Sequence, residues 1–218
     1  MATIQPFTNL SGNIFNLIKP FFNGKTRDIS NVDTVVLHWT AGANLSSDIT
    51  TLKSKNYGYH FLIDKSGQIY QGSALNKKLS HSGHSYGPQG NFVNGHSIGI
   101  SFSMRGILSD GTEDEFTDAM YTSCINLIKD IKLGVPTLKY ITGHHWISPG
   151  RKIDPYTLDF NRLMGGIGNG FELWKTGDSP FPEGLSDNFV GAGDYKYSID
   201  ALSTVVRSEF FQSDLETE

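Results

Sequence analysis

Short runs of apolar and β-branched residues, separated by polar loops, form the pattern of the chain from residue 33 onward. Residues 34–38 and 97–102 are almost continuously apolar, which is typical of strands buried on both faces of a sheet. Residues 57–64 and 68–71 flank a turn that contains glycine, which indicates a β-hairpin. The pattern therefore predicts four strands, two of them joined as a hairpin.

One amphipathic helix is predicted over residues 117–131. Its apolar residues recur at helical spacing, and Thr117 can cap its amino terminus. Another β-branched run at residues 138–142 predicts a further strand. Strands that alternate with helices favour an α/β fold, in which ligands bind at strand ends and in the adjacent loops.

The two ends of the chain differ from this middle region. Residues 1–31 mix short apolar pieces with Asn, Gly and Pro, so we expect an N-terminal arm. The main domain is predicted over residues 32–164. The glycine-rich start of residues 165–218 predicts a flexible hinge, followed by a C-terminal extension with a short amphipathic helix from Ser198.

Composition and charge exclude several classes of function. The 18 Lys and Arg against 22 Asp and Glu give a net charge of -4, which argues against nucleic-acid binding. No run of about 18 apolar residues is present, so we expect no membrane span. The apolar stretch near the N-terminus is interrupted by Asn, Lys and Pro, so we expect no cleaved signal peptide. The single cysteine, Cys124, excludes an internal disulfide.

Two distant segments carry residues that can bind a metal ion. His38 ends the first predicted strand, and residues 143–155 contain His144, His145 and Asp154 around a Pro-Gly turn. Two imidazoles and a carboxylate are one ligand set of an open catalytic zinc site, which leaves a fourth position for water or substrate. A single buried histidine is more often a hydrogen-bonded structural residue, so the residues alone leave both interpretations open.

Several segments occur in the order seen in zinc-dependent N-acetylmuramoyl-L-alanine amidases of type 2, and the chain resembles this family. The family includes phage lysozyme-type amidases and peptidoglycan-recognition proteins. The resemblance implies a central mixed β-sheet flanked by helices in a single domain. Its most specific motif is Pro-Gly-Arg-Lys-x-Asp-Pro, whose Asp lies ten residues after the histidine of Gly-His. The shared segments are the His38 strand, the Tyr59-His60-Phe61 hairpin, the His81 loop, residues 97–100 and residues 143–155.

The resemblance implies a Zn²⁺ ion bound by His38, His144 and Asp154. The neighbouring His145 is a rival for His144, but the spacing to Asp154 in the family favours His144. The family hydrolyses the amide bond between the lactyl group of N-acetylmuramic acid and the first L-alanine of the stem peptide. The resemblance therefore implies a peptidoglycan or muropeptide substrate.

The catalytic residues implied by the resemblance are Lys152, which would stabilise the oxyanion, and Tyr59, which would contact the attacking water or the intermediate. Many family members carry a glutamate general base directly after the Ile-Gly-Ile strand motif, whereas this chain has Ser101. The phage and recognition-protein branches also lack this glutamate. The identity of the group that transfers the proton therefore stays open, with Tyr59 as the first candidate.

Four further residues are expected to contact the substrate. His81 lies in a polar loop of residues 80–95 and matches a substrate-contacting histidine of the family. Asn94 lies near the end of this loop, and Trp39 and Thr40 follow the first ligand. His60 is expected to point away from Tyr59 and to pack in the core, because side chains alternate along a strand.

The preferred cellular role is that of a phage endolysin, acting as a monomer, which leaves the host cytoplasm to lyse the cell wall or is carried in the virion. A recycling amidase of the cytoplasm that acts on anhydro-muropeptides is one alternative. A peptidoglycan-binding or virion protein without catalysis is another, with residues 165–218 contacting the virion or the chain itself.

Overall fold

The computed structural model describes residues 21–175, except Ser109 and Gly150. Residues 1–20 and 176–218, including the helix expected from Ser198, lie outside the described residues. No helix in the described part is long and apolar enough to cross a membrane. Its strands are β1 (Lys25–Thr26), β2 (Thr34–Trp39), β3 (Phe61–Ile63), β4 (Ile69–Gln71), β5 (Lys77–Lys78), β6 (Tyr86–Gly87), β7 (Gly90–Asn91), β8 (Ser97–Phe102), β9 (Tyr140–Gly143) and β10 (Glu172–Leu173). Its α-helices are α1 (Leu45–Ser54), α2 (Asp118–Gly134), α3 (His144–Ile147) and α4 (Phe160–Ile167).

Six strands form a central mixed sheet in the order β10-β9-β2-β8-β3-β4, which confirms the predicted α/β fold. All neighbours are parallel except β3 and β4, which form the predicted hairpin. The carboxyl ends of β2, β8 and β9 therefore meet at one edge of the sheet. In this register His38 pairs with Ser101, and β9 ends directly before His144.

The main core lies between the sheet and α2. Alternate residues of β2 face different clusters: Val35 and Leu37 belong to the core with α2, whereas Val36 packs in a separate cluster with Trp174. By this alternation His38 points away from α2. The Thr117 side chain accepts a hydrogen bond from the Met120 amide (3.1 Å), which confirms the predicted helix cap.

The sheet domain continues beyond residue 164, where the sequence led us to expect its end. Helix α4 includes the first glycines of the expected hinge. A Cβ at Gly166 would lie 2.3 Å from Ile125 Cδ1 of α2. The two helices therefore approach closely at this glycine. Strand β10 then joins the sheet beside β9, and Trp174 is only 9% exposed.

The described part of the expected N-terminal arm, residues 21–31, packs on the domain. Strand β1 pairs with β5, and Phe22 is 4% exposed. The Arg27 guanidinium donates hydrogen bonds to the carbonyls of Asn94 and Leu75, which joins this segment to the loops on the same side of the molecule.

Candidate metal centre and active site

His38, His144 and Asp154 meet at the carboxyl edge of the sheet. Their ligand atoms lie within 4.8 Å of one another. The His38 Nδ1 atom is 3.1 Å from His144 Nδ1 and 3.0 Å from Asp154 Oδ2. Ligands of tetrahedral zinc, bound at about 2.0–2.1 Å, are separated by about 3.3 Å, so the observed spacing suits this ion.

A hydrogen bond on the far side of His144 orients its Nδ1 atom, the candidate metal ligand. His144 Nε2 lies 3.1 Å from the Ser82 carbonyl, which can only accept, so the proton of the neutral imidazole is on Nε2. His144 Nδ1 then presents a lone pair to Asp154, at 3.1 Å from Oδ1 and 3.2 Å from Oδ2. Two acceptors that face each other at this distance repel unless a proton or a metal ion lies between them.

The charge states of the cluster also suit a metal ion. Burial lowers the pKa of His144 to about 3, so its imidazole is neutral at pH 7. Burial disfavours the charged form of Asp154, but His144 and His38 outweigh this effect and hold the pKa of its carboxyl well below the usual range. Neutral imidazoles and an ionised carboxylate are the forms that bind zinc. The donor set, its spacing and its protonation therefore fit Zn²⁺.

The two candidate catalytic residues lie beside this cluster. The ring of Tyr59 is 4.8 Å from that of His38, between centroids. Burial and the charge of Asp154 raise the pKa of Tyr59, so its hydroxyl stays protonated and can donate a hydrogen bond. Burial lowers the pKa of His38 more than Asp154 raises it, and the positive charge of Lys152 adds to the lowering. Lys152 is therefore close enough to act on the site electrostatically.

Ser101 lies where many family members carry glutamate. Its side chain is fully buried and close to the Tyr59 hydroxyl, yet its Oγ has no hydrogen bond of normal geometry to any residue that the structure describes. A buried hydroxyl without a partner is uncommon and is a candidate contact for a bound water or substrate.

Two of the expected substrate contacts, His81 and Asn94, lie behind the cluster instead. His81 is 7% exposed, and its Nδ1 is 3.1 Å from His38 Nε2, on the side of that ring opposite Asp154. Asn94 is 3% exposed, and its Oδ1 accepts hydrogen bonds from the amides of His81 and Ser82. These positions give no support to a direct substrate contact.

Trp39 and Thr40, the other two expected contacts, are also used within the protein. Trp39 is 4% exposed and packs edge-on against Tyr156, with ring centroids 5.7 Å apart. Thr40 Oγ1 donates to Asp48 Oδ2 (2.7 Å) and accepts from the Met104 amide (3.2 Å). Their predicted substrate contacts stay predictions without structural support.

The remaining histidines of the two motifs point elsewhere. His145, the rival ligand, contacts the Asp154 backbone carbonyl and stacks on Trp146, so it faces away from the metal-binding atoms. His60 is fully buried, as expected, and its Nδ1 accepts from the Gly99 amide. It nevertheless lies beside His81, with ring centroids 6.0 Å apart. The alternation of side chains along a strand does not keep His60 away from the candidate site, because residues 59 and 60 precede strand β3.

Sequence reasoning missed three supporting residues. The Ser82 carbonyl accepts from His144 Nε2 and from Arg151 Nη2 (2.7 Å), and Ser97 Oγ contacts His81 Nε2 (3.2 Å). A role carried by a backbone carbonyl leaves no signal in the residue type. Arg151 is part of the Pro-Gly-Arg-Lys motif, which could have identified it.

Comparison with known proteins places these residues within a family. The family model described as N-acetylmuramoyl-L-alanine amidase matches residues 28–157, which contain all three candidate ligands. The 1,6-anhydro-N-acetylmuramyl-L-alanine amidase AmpD of Haemophilus influenzae is 35% identical over 111 residues, which is 50% of this chain and 57% of that protein. The match thus spans somewhat more than half of this relative.

Solved structures share the fold. The amidase AmiD from E. coli, in complex with anhydro-N-acetylmuramic acid-L-Ala-D-gamma-Glu-L-Lys, is 27% identical with a TM-score of 0.57, covering 62% of this chain and 57% of AmiD. The endolysin LysCS from Clostridium intestinale is 21% identical with a TM-score of 0.55, covering 70% of this chain and 95% of LysCS, and shows the fold alone. Since the family model matches more than half of the chain, this protein belongs to the N-acetylmuramoyl-L-alanine amidase family.

Proposed function

We propose that this chain is a zinc-dependent amidase that hydrolyses the bond between N-acetylmuramic acid and L-alanine in peptidoglycan. The observation that carries the proposal is the buried cluster of His38, His144 and Asp154, whose ligand atoms face one another at 3.0–3.2 Å. The Asp154 side chain is 12% exposed whereas that of His38 is 0% exposed, so the cluster is reached from the Asp154 side.

The chain would hold zinc through the Nδ1 atoms of both histidines and the Asp154 carboxylate. When bound, Zn²⁺ supplies a Lewis acid that activates water and polarises the scissile carbonyl. Tyr59 donates a hydrogen bond from its protonated hydroxyl to the reacting oxygen. Lys152 supplies the positive charge that stabilises the oxyanion, an effect worth about 3–4 kcal/mol where a comparable donor has been removed.

Ser101 makes the proton transfer different from that of family members with glutamate at this position. A serine hydroxyl is not basic enough to take a proton at neutral pH, so Ser101 acts as a hydrogen-bonding group. Its buried Oγ lies beside Tyr59, makes no hydrogen bond of normal geometry within the described residues, and would orient the Tyr59 hydroxyl or a water molecule. This leaves Tyr59 as the residue that directs the proton.

The decisive assay is digestion of isolated peptidoglycan by the zinc-loaded chain, with mass spectrometry of the products. Amidase activity releases stem peptides with a free L-alanine amino terminus. A chelator should abolish the reaction, and added zinc should restore it. Binding of peptidoglycan without new amino termini would contradict the enzyme and favour the non-catalytic binding or virion protein.

The proposed cellular role is that of a phage endolysin, which leaves the host cytoplasm to lyse the wall. The similarity to AmpD favours a second candidate, a recycling amidase for soluble anhydro-muropeptides. An endolysin should clear turbid suspensions of cell walls, whereas a recycling enzyme should strongly prefer the soluble anhydro-muropeptide. Contacts of residues 165–218 with a virion or with the chain itself remain part of the first proposal.

A further inference from the structure

We propose that His81 and Ser97 form a positioning pair, which holds His38 in the orientation and tautomer that metal binding requires. This inference rests on the proposed function, because it concerns the zinc site. His38 has 0% exposure and contacts two different groups through its two ring nitrogens. Its Nδ1 faces Asp154, and its Nε2 faces His81 Nδ1 at 3.1 Å.

The Val93 carbonyl, which contacts Ser97, allows the donor and acceptor of each hydrogen bond to be assigned. The Val93 carbonyl can only accept, so Ser97 Oγ, 2.7 Å away, donates its hydrogen there. Ser97 Oγ is then the acceptor for His81 Nε2 at 3.2 Å. A neutral His81 with its proton on Nε2 has a lone pair on Nδ1, and His38 Nε2 must donate to it. His38 therefore presents an unprotonated Nδ1 to the metal.

The His81 ring occupies a space that is shaped for it. A Cβ at Gly99, on β8, would lie 2.8 Å from His81 Cγ and 2.9 Å from Nδ1, so only glycine leaves room for the ring. Asn94 Oδ1 holds the His81 backbone amide at 3.1 Å. His81 is thus held at its backbone amide, on one face of its ring and at Nε2. A residue that orients another side chain needs to be fixed in this way.

Loss of the acceptor on His81 would act on His38 in two ways. The buried Nε2–H of His38 would have no partner, which is unfavourable. The other tautomer, with the proton on Nδ1, would then compete with metal binding. Removal of such an orienting hydrogen bond typically weakens metal affinity about 10–100-fold.

Two substitutions of His81 separate this role from simple packing. His81→Phe keeps a planar ring but removes the acceptor. His81→Asn places its Oδ1 close to the position of the histidine Nδ1 and keeps the acceptor. Ser97→Ala leaves the His81 ring in place but removes the acceptor for His81 Nε2, together with the hydrogen bond from Ser97 Oγ to the Val93 carbonyl. The zinc dissociation constant of the full chain is measured by competition with a chelator, and urea unfolding checks that each variant folds.

We expect zinc to bind about 10–100-fold more weakly to His81→Phe, less weakly to Ser97→Ala, and almost normally to His81→Asn. In ¹⁵N NMR of the zinc-free protein, His38 Nε2 should be protonated in the wild type and in His81→Asn. At saturating zinc, the KM for a muropeptide should be unchanged in His81→Phe, because His81 is buried and contacts His38 on the side opposite Asp154.

Unchanged zinc affinity in a folded His81→Phe variant would overturn the inference. A raised KM with unchanged zinc affinity would do the same and would favour the substrate contact expected from the sequence. If His81→Phe does not fold, Ser97→Ala decides, and normal zinc affinity with a normal His38 tautomer in that variant overturns the inference. A wild-type chain that binds no zinc would overturn the proposed function and this inference together.

Discussion

Replacement of Asn94 by alanine tests whether this buried side chain supports the candidate metal ligands. Asn94 Oδ1 accepts three hydrogen bonds, from the His81 amide (3.1 Å), the Ser82 amide (2.9 Å) and the Ser82 hydroxyl (2.8 Å). Alanine removes this acceptor from a site where the side chain is only 3% exposed. The three donors are therefore left facing an apolar methyl group.

The expected loss of stability can be worked out from these contacts. The Ser82 hydroxyl can turn toward Ser85 Oγ, which is 3.2 Å away, so two backbone amides are left without an acceptor. A buried donor without a partner costs roughly 1–3 kcal/mol. Relaxation of the loop and entry of water reduce this cost, so we expect Asn94→Ala to lower the free energy of unfolding by about 2–4 kcal/mol.

The measurement is urea unfolding of the metal-free chain, because bound zinc would add its own stabilisation. The midpoint should fall in Asn94→Ala with an unchanged dependence on urea. Asn94→Asp keeps the Oδ1 acceptor but buries a charge, so it should lose less stability than Asn94→Ala without matching the wild type. A loss below about 0.5 kcal/mol, accompanied by a raised KM, would refute this reasoning and favour a substrate contact.

Three further predictions concern the ligands, the reaction and the pH dependence. His144→Gln should abolish zinc binding in equilibrium dialysis, whereas His145→Gln should keep it; equal losses would contradict the ligand assignment. Lys152→Met should lower kcat about 10²–10³-fold with zinc retained, and Lys152→Arg should recover part of the activity. An unchanged kcat would exclude Lys152 from the reaction. Burial lowers the pKa of His60 to about 3 in the folded chain, against about 6.5 in the unfolded chain. Between these values the unfolded chain binds one more proton, so the free energy of unfolding decreases as the pH is lowered. His60 contributes a slope of about 1.4 kcal/mol per pH unit to the free energy of unfolding. Urea unfolding of His60→Asn from about pH 6 to 4 should therefore show a shallower decline of this free energy than the wild type; equal slopes would contradict the lowered pKa of His60.

Local pattern predicted the elements that are buried on both faces or have a clear period. Strands β2 and β8 are buried throughout, so their sequences are nearly continuous in apolar residues. Strand β10 has only two residues, which is too short for a recognisable pattern. It is held by pairing with β9 and by the packing of Trp174, neither of which can be seen in the local sequence. Glycines near it suggested a hinge, whereas Gly166 serves the contact between α2 and α4.

The candidate ligands were implied by the resemblance to the amidase family, whose motif keeps a specific spacing, but the surroundings of these residues could not be predicted. His81 and Asn94 lie in a long polar loop, and such loops often bind substrates. Their burial results from contacts with residues far away in sequence, such as the bond from the Arg27 guanidinium to the Asn94 carbonyl. Residue type and local pattern carry no information on such contacts.

The polar loop therefore contacts both histidines of the candidate metal centre. The Ser82 carbonyl accepts from His144, and the adjacent His81 accepts from His38. Asn94 holds the amides of both loop residues, so any change that releases Asn94 should disturb both ligands together. His81 and Asn94 make these contacts while only 7% and 3% exposed, so their expected substrate contacts stay predictions without structural support.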